Sequence, residues 1–207
     1  MNKNWCFLLG SVLVLLCGCC IFSLKPYYTE RNKIDVPNDA VGFWRDAGDN
    51  VIEFKADGQA AYFGNDPEEP AKLVYQVVFF KGDKNLYIDG ELQINESQLK
   101  LGMARLAIMP LHLMYKVEFS EKKLKLWAPD QEKLDKILAT DNNLPFVTYQ
   151  ETPSAISGQT GKIFNATGEE WEKALKKYDI WSDEPIEYVK CDPAFFNAAQ
   201  TAKQSKK

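Results

Sequence analysis

Beyond residue 38 the chain alternates apolar and polar side chains with period two, the pattern of strands that bury one face. Ile52 and Phe54 fall opposite Glu53 and Lys55, and Asp57-Gly58 supplies a tight turn into a strand over Ala60 to Phe63. Lys72 to Phe80 is almost continuously apolar and rich in β-formers, and Gly82-Asp83-Lys84-Asn85 has the composition of a hairpin turn. The turn leads into the clearest strand, Leu86 to Ile94, with Leu86, Ile88, Leu92 and Ile94 on one face and Tyr87, Asp89, Glu91 and Gln93 on the other. Tyr115, Val117 and Phe119 alternate with Lys116 and Glu118, and Ser120 to Lys122 turns the chain into Lys123 to Ala128.

Helical spacing enters late. Pro129 suits a first helical position, Asp130 and Glu132 favour the opening turn, and Leu134, Ile137 and Leu138 form an apolar stripe. Thr167-Gly168-Glu169-Glu170 reads as a capping box, after which Trp171, Ala174, Leu175 and Tyr178 share a helix face. A short strand over Pro185 to Lys190 follows, and Asp192-Pro193 starts a terminal helix and tail over 193–207. Consecutive antiparallel strands with two or three short helices late in the chain predict a mainly β domain over 39–192, a barrel or a sandwich.

A different pattern stands at the start. Trp5 to Leu24 runs without a charge between Lys3 and Lys25, long enough to cross a bilayer and longer than the apolar core of a signal peptide needs. The polar stretch after it, with Pro26 and Pro37 and no apolar period, is expected to be a linker, 19–38 in all. Leu16-Cys17-Gly18-Cys19, behind the basic Met1-Asn2-Lys3-Asn4, resembles the lipobox of bacterial lipoproteins. That resemblance implies a signal peptide over 1–18, lipidation of Cys19, and a lipid anchor on the extracytoplasmic side of an envelope membrane, the bacterial outer membrane. Read without it, 5–24 is an uncleaved transmembrane anchor or a cleaved secretory peptide, the latter disfavoured by the apolar Cys19-Cys20-Ile21-Phe22 that the cut would expose.

A second resemblance concerns the domain. Gly42-Phe43-Trp44 at the start of the first strand looks like the G-x-W of lipocalins, and a late helix followed by a short strand resembles their closing region. It implies an eight-strand barrel with a basic side chain against the tryptophan, for which Lys190 is the candidate. The segment Lys162 to Lys190 also resembles the end of small bacterial envelope lipoproteins of unassigned role.

The 207 residues are 45% hydrophobic, 13% aromatic and 26% charged, which suits one domain with a buried core. A net charge of -4 with no basic stripe argues against nucleic acid. Beyond the apolar leader only Cys191 remains among the cysteines, so this is no disulfide scaffold. His112 is the only histidine, which removes a histidine metal cluster and leaves no pair for a relay. It is expected to be a satisfied core or loop histidine, and Cys191 an inert thiol. The acidic runs at Asp66 to Glu69, Glu169 to Glu172 and Asp183-Glu184 read as solvated surface, Asp46 to Asn50 as a plain turn, and Gly158 to Lys162 as a turn without phosphate-loop spacing.

No residues are assigned to catalysis, to a metal or to a cofactor, and a non-enzymatic role is expected. Tyr75, Phe79, Tyr87, Met103, Met114 and Tyr115, with Trp44, either fill an ordinary packed core or are the candidate lining of a barrel interior that takes a small apolar ligand or lipid. The alternative is an interaction or structural module that docks an envelope protein.

Overall fold

The computed structural model describes residues 21–65, 72–93, 111–141, 144–150 and 160–194. The chain is mainly β. Eight antiparallel strands close on themselves: β3 (Gly42–Asp46), β4 (Val51–Phe54), β5 (Gln59–Phe63), β6 (Lys72–Lys81), β7 (Leu86–Gln93), β8 (His112–Phe119), β9 (Lys123–Trp127) and β12 (Ile186–Cys191). Each pairs with the next, β9 pairs with β12, and β12 returns to β3, so no strand of the ring presents a free edge. This is a closed eight-strand barrel, consistent with a lipocalin-like fold. Among the described residues two helices, α1 (Gln131–Leu138) and α2 (Gly168–Lys177), both lie in the later half of the chain.

Among the described residues four further strands are added outside the ring. β1 (Phe22–Ser23) pairs with β8, β11 (Thr160–Phe164) runs parallel to β1, and β10 (Phe146–Gln150) pairs with β11. β2 (Lys33–Ile34) pairs with β6 at Phe79 and Phe80, beyond the stretch of β6 that β5 occupies. The segment expected to be a linker therefore packs on the barrel from Ile21 onward. Leu24 N–H donates to the Phe164 carbonyl at 2.8 Å, and the buried Tyr27 sends its hydroxyl to the Ile21 carbonyl at 2.9 Å. Apolar periodicity is absent there because single buried side chains, spaced by turns, hold the segment. The stretch from Gly158 to Lys162, expected to be a turn, enters strand β11 at Thr160, where backbone pairing with β10 and β1 supplies the order.

The helix starts follow from their caps. Asp130, extended at φ -88° and ψ 121°, accepts from Lys133 N–H at 2.8 Å, so α1 begins after it. Pro129, expected inside the helix, stands one residue ahead of the cap in an isolated bridge with Trp181. α2 has the expected capping box: Glu170 N–H donates to Thr167 Oγ1, and Thr167 N–H donates to Glu170 Oε2 at 2.7 Å. That second bond lowers the Glu170 carboxyl below its ordinary range. Gly168 opens α2 where a Cβ would stand 2.1 Å from the Tyr28 carbonyl oxygen, so the close approach of 21–30 to the helix requires glycine.

Two cores result, one on each side of the barrel wall. Trp44, Phe54, Val77, Phe79, Ile88, Val117, Leu124 and Leu126 pack inside. Phe80, Tyr87 and Met114 point outward and are covered by Leu134 and Leu138 of α1, Trp171 of α2, and Tyr27, Phe164, Ile180 and Trp181. Tyr87 stacks between Phe80 and Trp181 at centroid distances of 5.2 and 5.4 Å. Strands β6 to β8 are thus buried on both faces, which explains the near-continuous apolar run of β6.

Candidate functional site

The barrel interior is divided into a packed floor and a hollow upper half. At the floor Trp44 is fully buried, its Nε1–H donating to the Ala40 carbonyl at 2.7 Å. Phe119 lies 6.0 Å from Trp44 between centroids and 5.9 Å from Phe79, which meets Phe54 edge-on at 6.0 Å. Lys190, the Cα partner of Trp44 on β12, carries Nζ 5.1 Å over the indole ring and donates to the Asp39 carbonyl. The basic residue that the lipocalin resemblance places against the tryptophan is therefore there, as a lysine.

Above this floor lies a cavity of about 530 Å³, walled by Ile52, Phe54, Ala60, Tyr75, Val77, Ile88, Gly90, Leu113, Tyr115 and Leu126. It exists because small residues stand at mid-barrel. Ala60 is the Cα partner of Tyr75, and Gly90 is that of both Val77 and Leu113. A Cβ on Gly90 would meet only ordinary contacts, the nearest being Tyr75 Cδ1 at 3.7 Å, so the space beside it is open rather than closed by backbone.

One end of the cavity is polar. Asp46, Asn50, Tyr62, Ser182, Glu184 and Tyr188 line it there. Asp46 is held by the β3–β4 turn: its Oδ1 accepts from Gly48 N–H at 2.8 Å and Asn50 N–H at 2.9 Å, and its Oδ2 accepts from Asn50 Nδ2 at 2.8 Å. Burial, then the charge of Asp46, pushes the Tyr62 phenol up to about 12. The same two causes in the same order, with Tyr62 third, raise Tyr188 as well.

Among the described residues, those expected to line a ligand divide three ways. Tyr75 and Tyr115 stand on the cavity wall. Trp44 and Phe79 are inside the barrel but in the floor, and Tyr87 and Met114 face outward into the second core. Met103 lies outside the described residues, as does Cys19. Tyr62, Tyr188, Asp46 and the two space-making residues, Ala60 and Gly90, were not anticipated. Asp46 and Tyr188 are paired across β3 and β12, a contact that local patterning does not reveal.

His112 is buried on the outer wall. Its Nδ1 hydrogen-bonds Asp89 Oδ1 at 2.8 Å, and Asp89 Oδ2 accepts from Tyr27 N–H at 2.8 Å. Ser23 is the Cα partner of His112 and is itself fully buried, but its Oγ accepts from Lys25 N–H at 3.2 Å. The cluster faces away from the cavity and ties the first described residues to the barrel. Burial raises the Cys191 thiol, with Asp192 adding to the rise and Arg45 opposing it. Among the described residues no group of three or more His, Cys, Asp or Glu is placed to hold a metal ion, and no helix is long and apolar enough to cross a membrane.

Set against protein-family models, curated proteins and solved structures, the chain matches none of them.

Proposed function

We propose that this chain is an envelope lipoprotein, anchored through Cys19, whose barrel carries a small apolar molecule or lipid. The observation that carries the binding role is the cavity. Its volume of about 530 Å³ falls within the ~300–1,000 Å³ of small-molecule sites, and its wall is mostly apolar with a few polar groups gathered at one end. An eight-strand barrel is otherwise just wide enough to fill with its own side chains, as the floor of this one does. The role is carriage rather than catalysis, since the buried His112–Asp89 pair lies on the opposite side of the wall from the cavity.

The anchor rests on the uncharged leader and the lipobox-like Leu16-Cys17-Gly18-Cys19. With Ile21 buried and Phe22 paired to β8, Cys19 stands two residues ahead of the packed body. Acyl chains on Cys19 therefore hold the barrel against the bilayer, where an apolar cargo is at high local concentration.

Thermal unfolding of the full chain in phosphatidylcholine nanodiscs tests the binding role. At about 100 times its dissociation constant a ligand adds about 2.7 kcal/mol of stability, a rise on the order of 5–10 °C for a chain of this size. Dodecanol is expected to produce such a rise, and an unchanged midpoint at saturating dodecanol counts against the role. For the anchor, Cys19→Ser is expected to abolish incorporation of labelled palmitate; undiminished labelling would remove Cys19 as the acceptor.

A further inference from the structure

We infer that the cavity takes amphiphiles whose polar end is a hydrogen-bonding group without negative charge, an alcohol or an amine, and excludes carboxylates of the same chain. The inference rests on the cavity being a binding site and concerns what its polar end selects.

Three observations at that end carry it. Tyr188 is only 5% exposed, lines the cavity, and has no hydrogen-bond partner for its hydroxyl among the described residues. That hydroxyl is not sealed in the wall: among the described residues Trp171 Nε1 is the one buried side-chain polar atom without a partner, so the Tyr188 phenol opens to the cavity, where a ligand atom can bond it. Tyr62 adds a second hydroxyl of the same kind on the same wall. Both phenols are raised, so at neutral pH they are protonated and can donate or accept.

Charge then sorts what they meet. The described residues around the cavity include two acids, Asp46 and Glu184, and no base. Asp46 already accepts three hydrogen bonds from its own turn, which fixes it as an anion-facing wall rather than a group free to swing away. Glu184 lines the cavity as an exposed residue and makes no ion pair among the described residues. Like charges brought to this end repel, the more so the less water screens them. A carboxylate head has no compensating cation there, whereas an alcohol pays no charge penalty and an amine gains attraction.

Competition among dodecanol, dodecylamine and dodecanoate, read by native mass spectrometry of the full chain in nanodiscs, tests this. The expected result is that dodecanol and dodecylamine each occupy the protein at least about tenfold better than dodecanoate. The double variant Asp46→Asn/Glu184→Gln is expected to narrow that preference to within about threefold, and Tyr188→Phe to weaken dodecanol by about tenfold. If none of the three binds, the binding role itself fails. If dodecanoate binds as well as the others, the cavity is a site but the charge selection is overturned. A preference that survives the double variant unchanged also overturns it, because these two carboxylates would then not be its source.

Discussion

Asp89→Ala is expected to destabilise the protein by about 3–5 kcal/mol, a fall in melting temperature on the order of 10 °C. Asp89 is 1% exposed and His112 7%. Its two carboxylate oxygens accept from Tyr27 N–H and engage His112 Nδ1, each at 2.8 Å. Removing the carboxylate leaves a buried amide and a buried imidazole without partners, and the full desolvation of both then counts against the fold. The loss also loosens 21–30, which Asp89 pins to the wall, and so exposes part of the second core beneath Tyr27 and Trp171, whose rings lie 4.8 Å apart. Replacing the pair together, as Asp89→Leu/His112→Leu, is expected to recover about 1–2 kcal/mol of the single variant's deficit, since only the Tyr27 amide then stays unpaired. Urea unfolding of the three proteins checks this. An Asp89→Ala deficit below about 1 kcal/mol would show that the cluster is not what fastens the first residues to the barrel.

Gly90→Leu is expected to do the reverse, raising stability while removing binding. Glycine inside a strand is unfavourable, and filling an apolar void commonly adds about 0.5–2 kcal/mol. The Leu side chain has room to leave the backbone, because a Cβ at this position meets Tyr75 and Val77 at 3.7 and 3.8 Å without clash. It then projects into the space that separates Tyr75 from Tyr115 and Leu113. Occupancy by dodecanol is expected to fall by about tenfold or more. A variant that loses binding because it unfolds would lower the melting temperature; this one is expected to hold or raise it, so the two explanations part cleanly.

Much of the ring was legible in the sequence, because a strand with one solvated face writes its burial as alternation. Ile52 and Phe54, Leu86 and Ile88, and Tyr115, Val117 and Phe119 all point inward as their spacing predicts. Gly42-Phe43-Trp44 and Lys190 converge at the floor although 146 positions separate Trp44 from Lys190 in the chain. What misled was the second core. Helices cover the outer wall, so both faces of β7 and β8 carry buried side chains and a large apolar residue is no mark of the interior. The alternation itself sets Tyr87 opposite Leu86 and Ile88, and Met114 opposite Tyr115, on the outer face, where Asp89 too is buried beneath Tyr27. β10 and β11 lack a strong apolar alternation; β11 owes its order to pairing with a distant partner, Phe22 and Ser23 of β1, and β10 to pairing with β11. The cavity was hardest to foresee. Large aromatics draw attention, but the hollow is made by what Ala60 and Gly90 do not fill, and a missing side chain carries no chemical signature.

The central claim is that the upper half of the barrel is a ligand site and not an unfilled core. The measurement that tests it most directly is native mass spectrometry of the full chain, extracted gently from its own membrane into nanodiscs, beside Gly90→Leu treated identically. One apolar molecule per chain, displaced by added dodecanol in the wild type and absent from Gly90→Leu, is the predicted result. A wild-type chain that emerges bare and takes up no dodecanol, or a Gly90→Leu chain as fully occupied as the wild type, would contradict it.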